Sequence, residues 1–205
     1  VWNFKRADLV ICPSETARQK AIITFGVKPE KTVVIKLHVQ SQLKTSKTGQ
    51  IREEFGIGDN ERIILSAGRI TKAKGVEDFG EVAKILCARG KKYKFLFAGH
   101  ERDTEYASRI KEKYNKYVTF IGYRPDIANA FADADLLLHL SHRESSVLAI
   151  IESLEFGVPC VAWDIPGVNE NVYDGITGKV SPFGNFNHVA DSIEAILENP
   201  LELNR

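Results

Sequence analysis

At 205 residues, 43% hydrophobic and 27% charged, the chain has the composition of an ordinary globular protein, long enough for one full core and part of a second unit. Its formal net charge of +1 excludes a global field that would gather nucleic acid or anionic lipid, so an anion site has to be local. No apolar run reaches the roughly 18 residues of a membrane span, and three dispersed cysteines (Cys12, Cys87, Cys160) without a CxxC pair read as reduced, buried thiols of a cytosolic protein.

The chain holds no methionine and opens at "VWNFKRADLVICPS", just ahead of a strand, so a piece of a longer protein is expected. In chain order, "ADLVICPS" predicts a strand, "SETARQKAIITFG" a helix and "KTVVIKL" a second strand. The polar stretch "LHVQSQLKTSKTGQ" reads as a linker, with a boundary near Ser41. Residues 1–40 are too few for an independent domain and read as the tail of a truncated one; 41–205 form the main domain. There the strands "RIILSAG", "KFLFAG", "YVTFIG", "DLLLHLS" and "VPCVAW" alternate with the helices "GVEDFGEVAKILCARG", "DTEYASRIKEKYN", "DIANAFADA" and "SSVLAIIESLEFG". Val76, Phe79, Val82, Ala83 and Leu86 make one apolar stripe, and the last of these helices stops at Gly157, ahead of Pro159. This alternation predicts an α/β fold: a Rossmann-like, mostly parallel sheet with helices on both faces.

In such a sheet ligands bind outside the carboxyl ends of the strands. Four strands end in polar or glycine-rich turns, "AGRITKAKG", "AGHERD", "GYRPD" and "SHRESS", which emerge on one edge if the sheet is parallel. They gather Arg69, Lys72, Lys74, Arg124, His142, Arg143 and Glu144 at one crevice, a set suited to an anion that carries hydroxyls. Arg69 and Lys74 lie between Gly68 and Gly75, where a backbone can approach a ligand closely and two cations can neutralise a diphosphate. Taken alone, the loop reads first as a solvated surface turn.

Ser145 and Ser146 are N-cap residue types, and a helix start binds phosphate readily, although capping alone accounts for them. Glu152 stands eight positions after Glu144, about 12 Å along a helix axis, so two carboxylates would bracket an elongated ligand bearing vicinal diols. An ion pair with a nearby Lys or Arg, or exposure beside Glu155, accounts for Glu152 equally. A metal cluster of His139, His142 and Glu144 is the weaker reading beside solvated strand-end side chains, and no cysteine supports zinc.

In combination these stretches resemble the retaining glycosyltransferases of family four, glycosyltransferase group 1, with the two-domain GT-B fold. The resemblance runs through "LSAGRITKAKGVEDF", "YVTFIGYRPDIANAFADADLLLHLSHRESS", "ESSVLAIIESLEFGVPCVAWDIPGVNENV" and "DGITGKVSPFGN", in the family's order. It implies that 41–205 is a nucleotide-sugar donor-binding domain and 1–40 the end of the first domain with the start of the linker. By the same resemblance Arg69 and Lys74 hold the donor diphosphate, joined by backbone N–H groups around Ser146, Val147 and Leu148, and Gly68 and Ser145 also belong to the donor site. Glu152 takes the ribose hydroxyls, Glu144 contacts the donor sugar as the catalytic group, and Tyr123 and Arg124 lie near the base. The implied reaction is hexosyl transfer with retention, in the cytoplasm, without metal or cofactor and without nucleic acid.

An acceptor (glycan, lipid or other) would enter through the first domain, and peripheral membrane contact is open. Departures from the family pattern are Val147 where glycine is common, Ser146 where a bulky residue is common, and "KLHVQ" in place of a Pro-Asn-Gly turn. Val147 is expected to narrow the phosphate approach or alter donor choice. The family's long closing helix is missing after "ENPLELNR", so the chain is expected to bind donor weakly and to transfer little by itself. Rival readings are a degenerate nucleotide-sugar-binding module, a nucleotide-sugar 2-epimerase-like enzyme, and a response-regulator-like domain. The last predicts an acidic strand-end cluster, and the turns here are mostly basic.

Overall fold

Two parallel sheets organise the computed structural model, which describes residues 4–39, 47–101 and 103–199. The expected boundary near Ser41 lies outside the described residues. The smaller sheet pairs β1 (Val10–Cys12) with β2 (Thr32–Val34), joined by helix α1 (Glu15–Phe25). Cys12, Ala21 and Val27 form a small core of their own there.

The larger sheet has six parallel strands. They are β3 (Arg62–Ala67), β4 (Tyr93–Ala98), β5 (Val118–Gly122), β6 (Leu136–His139), β7 (Cys160–Trp163) and β8 (Gly178–Ser181). Their spatial order is β5-β4-β3-β6-β7-β8. Strand order reverses between β3 and β6, which makes that junction the switch point where an open α/β sheet parts its turns and leaves a crevice. Ile63 to Leu65, Phe95 to Phe97, Leu136 to Leu138 and Cys160 to Trp163 are all buried, as expected of strands covered on both faces.

The predicted stripe on α3 (Val76–Ala88) is the buried face, with Phe79 edge-on to Phe95 and Phe97 at 5.6 Å. Helices α4 (Thr104–Tyr114) and α5 (Ile127–Asp133) follow where expected, and α6 (Leu148–Glu155) is present with a later start than expected. Three elements had no counterpart in the sequence reading: α2 (Gln50–Phe55), β8 and α7 (Phe186–Glu198). A further correction concerns Cys87, which is exposed at the end of α3 whereas Cys12 and Cys160 are buried as expected. None of the described helices is long and apolar enough to cross a membrane.

Candidate functional site

Backbone hydrogen bonds lace the four strand-end turns along one edge. Gly68 N donates to Ala98 O at 2.9 Å, Ile70 N to His100 O at 3.0 Å, Gly99 N to Gly122 O at 2.8 Å, and His142 N to Ala73 O at 3.0 Å. Two glycines make this closeness sterically feasible. Gly75 has φ +63°, and a Cβ there would overlap the Leu140 carbonyl oxygen; one on Gly99 would overlap the Gly68 carbonyl oxygen.

Beside the switch point, Lys74 Nζ donates to Glu144 Oε1 at 2.6 Å and His139 Nε2 reaches the same oxygen at 3.1 Å. Burial works against ionising Glu144, yet the bonds from His139 and Lys74 outweigh it and bring its pKa down to about 2. An ionised carboxylate only accepts, so Nε2 of His139 carries its ring proton. His142 turns the other way: its Nε2 donates to Asp78 Oδ2 at 2.9 Å, which also accepts from Trp163 Nε1 at 3.1 Å. The two histidines and Glu144 therefore do not converge on one point.

A second group of expected residues lines a cavity of about 260 Å³. Gly68, Arg69, Tyr123 and Arg124 meet there with Gly99 and His100. Tyr123 is 70% exposed, its ring centroid 5.9 Å from that of His100. Arg124 is already engaged, with Asp126 at 2.7 Å and with Glu54, and these partners raise its pKa. It is a wall of the cavity whose charge is balanced locally. Arg69 is exposed and makes no ion pair among the described residues. The two groups adjoin through Gly68, where a Cβ would lie 3.9 Å from Lys74 Cδ.

Helix α6 corrects two expectations. It starts at Leu148, its N-cap is Val147, and no side chain caps it, so Ser145 and Ser146 are not capping residues. The backbone ahead of the helix makes tertiary contacts: Ser14 Oγ donates to the Ser145 carbonyl, and the turn at Gly167 packs against Glu144 and Ser145, where a Cβ would come within 3.0 Å of Glu144 O. Glu144 thus stands in the preceding loop, and axial helix spacing does not apply between it and Glu152. Val147 is 3% exposed and packs in the core, so its side chain does not narrow the crevice.

Glu152 lies about one turn into α6, half-buried. Burial raises its pKa, and among the described residues no cation or donor pairs with it. The ion-pair explanation for Glu152 therefore does not hold. A second cavity, of about 280 Å³, was not anticipated; Ser14, Leu37, Ser146, Ile151, Glu170 and Tyr173 are among its walls. Sequence reasoning also missed Asp78 and Trp163, whose partners are distant in the chain, and gave no partner for Glu170, which accepts from Glu15 N and Thr16 N.

Fold and edge define a doubly wound α/β domain with an anion-suited crevice at its switch point. The chain matches the family described as glycosyl transferases group 1 over residues 47–205, and it belongs to that family. It is 31% identical over 183 residues to N-acetyl-alpha-D-glucosaminyl L-malate synthase of Bacillus anthracis, covering 87% of this chain and 48% of that protein. It is 28% identical over 205 residues to alpha-D-kanosaminyltransferase of Streptomyces kanamyceticus, covering 96% and 53%. The chain thus spans about half the length of the curated relatives it matches. Anabaena Alr3699/HepE, solved in complex with UDP and glucose, shares the fold at a TM-score of 0.86 with 24% identity, over 96% of this chain and 55% of that one. The fold is that of the GT-B glycosyltransferases.

Proposed function

We propose that the chain is the donor-binding half of a glycosyltransferase that moves a hexosyl group from a nucleoside diphosphate sugar to an acceptor, with retention. The observation that carries this reading is the Lys74–Glu144 pair at the switch point, with the uncapped start of α6 next to it and the exposed Arg69 nearby. Arg69, Lys74 and the first N–H groups of α6 would take up the charge that develops on the leaving diphosphate, which is electrostatic catalysis. Lys74 would exchange its bond to Glu144 for one to phosphate. Glu144 would accept from a donor-sugar hydroxyl, and Glu152 would accept from the ribose diol.

The base would lie in the cavity beside Tyr123 and His100. Arg69, Lys74 and the start of α6 supply the positive charge, so the reading calls for neither metal nor cofactor. Retention rests on the family resemblance. Donors of this class place the reaction in the cytoplasm, and the acceptor, glycan or lipid, decides any contact with a membrane. The chain spans about half the length of its curated relatives, and by itself it is expected to bind donor weakly and to transfer little.

Thermal shifts with UDP-glucose, GDP-mannose and ADP-glucose test the reading. A shift with at least one of them, lost in Glu152→Ala, supports it. No shift with any, or an undiminished shift in the variant, contradicts it. The UDP-bound fold relative makes uridine the first base to try.

A further inference from the structure

The chain sets an imidazole inside an apolar strand. His139 belongs to the run Leu136 to Leu140, is 4% exposed, and pairs in register with Ala162 of β7. A polar ring in such a place is costly unless its N–H is used, and here Nε2 reaches Glu144 Oε1. Lys74 and His139 both converge on that one oxygen, which leaves Oε2 out of both bonds. The two donors differ in mobility. Lys74 is a quarter exposed on a four-carbon stem, and a diphosphate in the crevice competes for it. His139 is fixed by the central sheet, out of reach of that competition.

We propose that His139 is a positioning residue: it keeps the Glu144 carboxylate oriented when Lys74 turns to the diphosphate, so that Oε2 faces the donor sugar. The inference rests on the nucleotide-sugar reading and adds to it the residue on which recognition of the sugar depends. It separates two energies: grip on the nucleotide comes from the cationic turn and helix start, and grip on the sugar depends on His139 through Glu144.

Calorimetric titration tests this on the full 205-residue chain, with UDP-glucose, GDP-mannose and ADP-glucose each compared with its bare nucleotide diphosphate. A wild-type chain that binds none of the six ligands defeats the donor reading and this inference with it. With a wild-type donor in hand, His139→Leu is expected to weaken it by about tenfold or more, while the bare nucleotide changes less than about twofold. His139→Gln, whose amide N–H also donates, is expected to restore most of the loss. Equal weakening of both ligands, or of neither, overturns the positioning role and leaves the donor reading standing. Should the leucine variant not fold, nitrogen NMR of the imidazole decides. An Nε2-protonated ring whose signal moves in Glu144→Gln supports the proposal; a ring protonated on Nδ1 and indifferent to Glu144 overturns it.

Discussion

Glu152 and Glu144 are two acids of one motif with opposite electrostatics. Glu152 is desolvated without a partner among the described residues, so its charge works against the fold at neutral pH. Its folded pKa is raised, so the cost is present above that pKa and vanishes as the carboxylate gains a proton. Glu152→Gln is therefore expected to raise Tm by about 1–3 °C at pH 7, with the gain fading toward acid pH, while donor binding is lost. Calorimetric scans at several pH values with and without nucleotide sugar check both halves. Glu144 has the depressed pKa, so its contribution to stability is full above the ordinary carboxylate value of 4.5 and disappears as pH falls toward about 2. Glu144→Gln is expected to cost about 1–3 kcal/mol at pH 7, with the two proteins converging as the pH is lowered; urea unfolding from pH 7 to 3 measures it. The sequence marked both acids, but not which one is paired. Lys74 lies 70 positions from Glu144, and no periodicity reports on a bond of that span.

Among the elements, those with a strong apolar rhythm were legible. The stripe of α3 and the continuous apolar runs of β3, β4, β6 and β7 follow from burial alone. The helix α2 was not, because it is six residues long and its start is secured from elsewhere: the buried Asp133 accepts from the N–H groups of Thr48, Gly49 and Ile51. Asp135 reinforces the same corner through Arg52 and the Ile63 N–H. Asp133→Ala leaves three donors unsatisfied and is expected to destabilise the chain by about 3 kcal/mol or more. Hydrogen exchange should quicken first at Gly49 and Ile51; a variant as stable as wild type would contradict the capping account. The signal for α7 was present and overlooked: Asn185 caps it, and Val189, Ala190, Ile193 and Ile196 recur on one face. The start of α6 was misplaced for a different reason. The serines that suit a cap fall before the N-cap, Val147, and the Ser145 carbonyl accepts a bond from Ser14, 131 positions away.

On the scale of the whole molecule, the β1–α1–β2 piece has a separate small core and is held to the larger unit by the Ser14–Ser145 bond and by a clamp at Glu170. The Glu170 carboxylate accepts from Glu15 N and Thr16 N at 2.8 Å each, at the start of α1. Glu170→Ala is expected to speed hydrogen exchange at those two amides while leaving exchange in β3 and β6 unchanged; acceleration throughout would mean that the clamp supports the whole fold. A net charge of +1 gave no hint of a site, because the crevice cations are offset by carboxylates elsewhere and only topology brings the four turns to one edge. The central claim concerns that edge, and amide chemical-shift mapping with UDP-glucose addresses it most directly. The account predicts the largest shifts at Gly68, Arg69, Tyr123 and the Leu148 to Ile150 amides. Shifts confined to the cavity beside Leu37 and Tyr173, or none at saturating ligand, would contradict it.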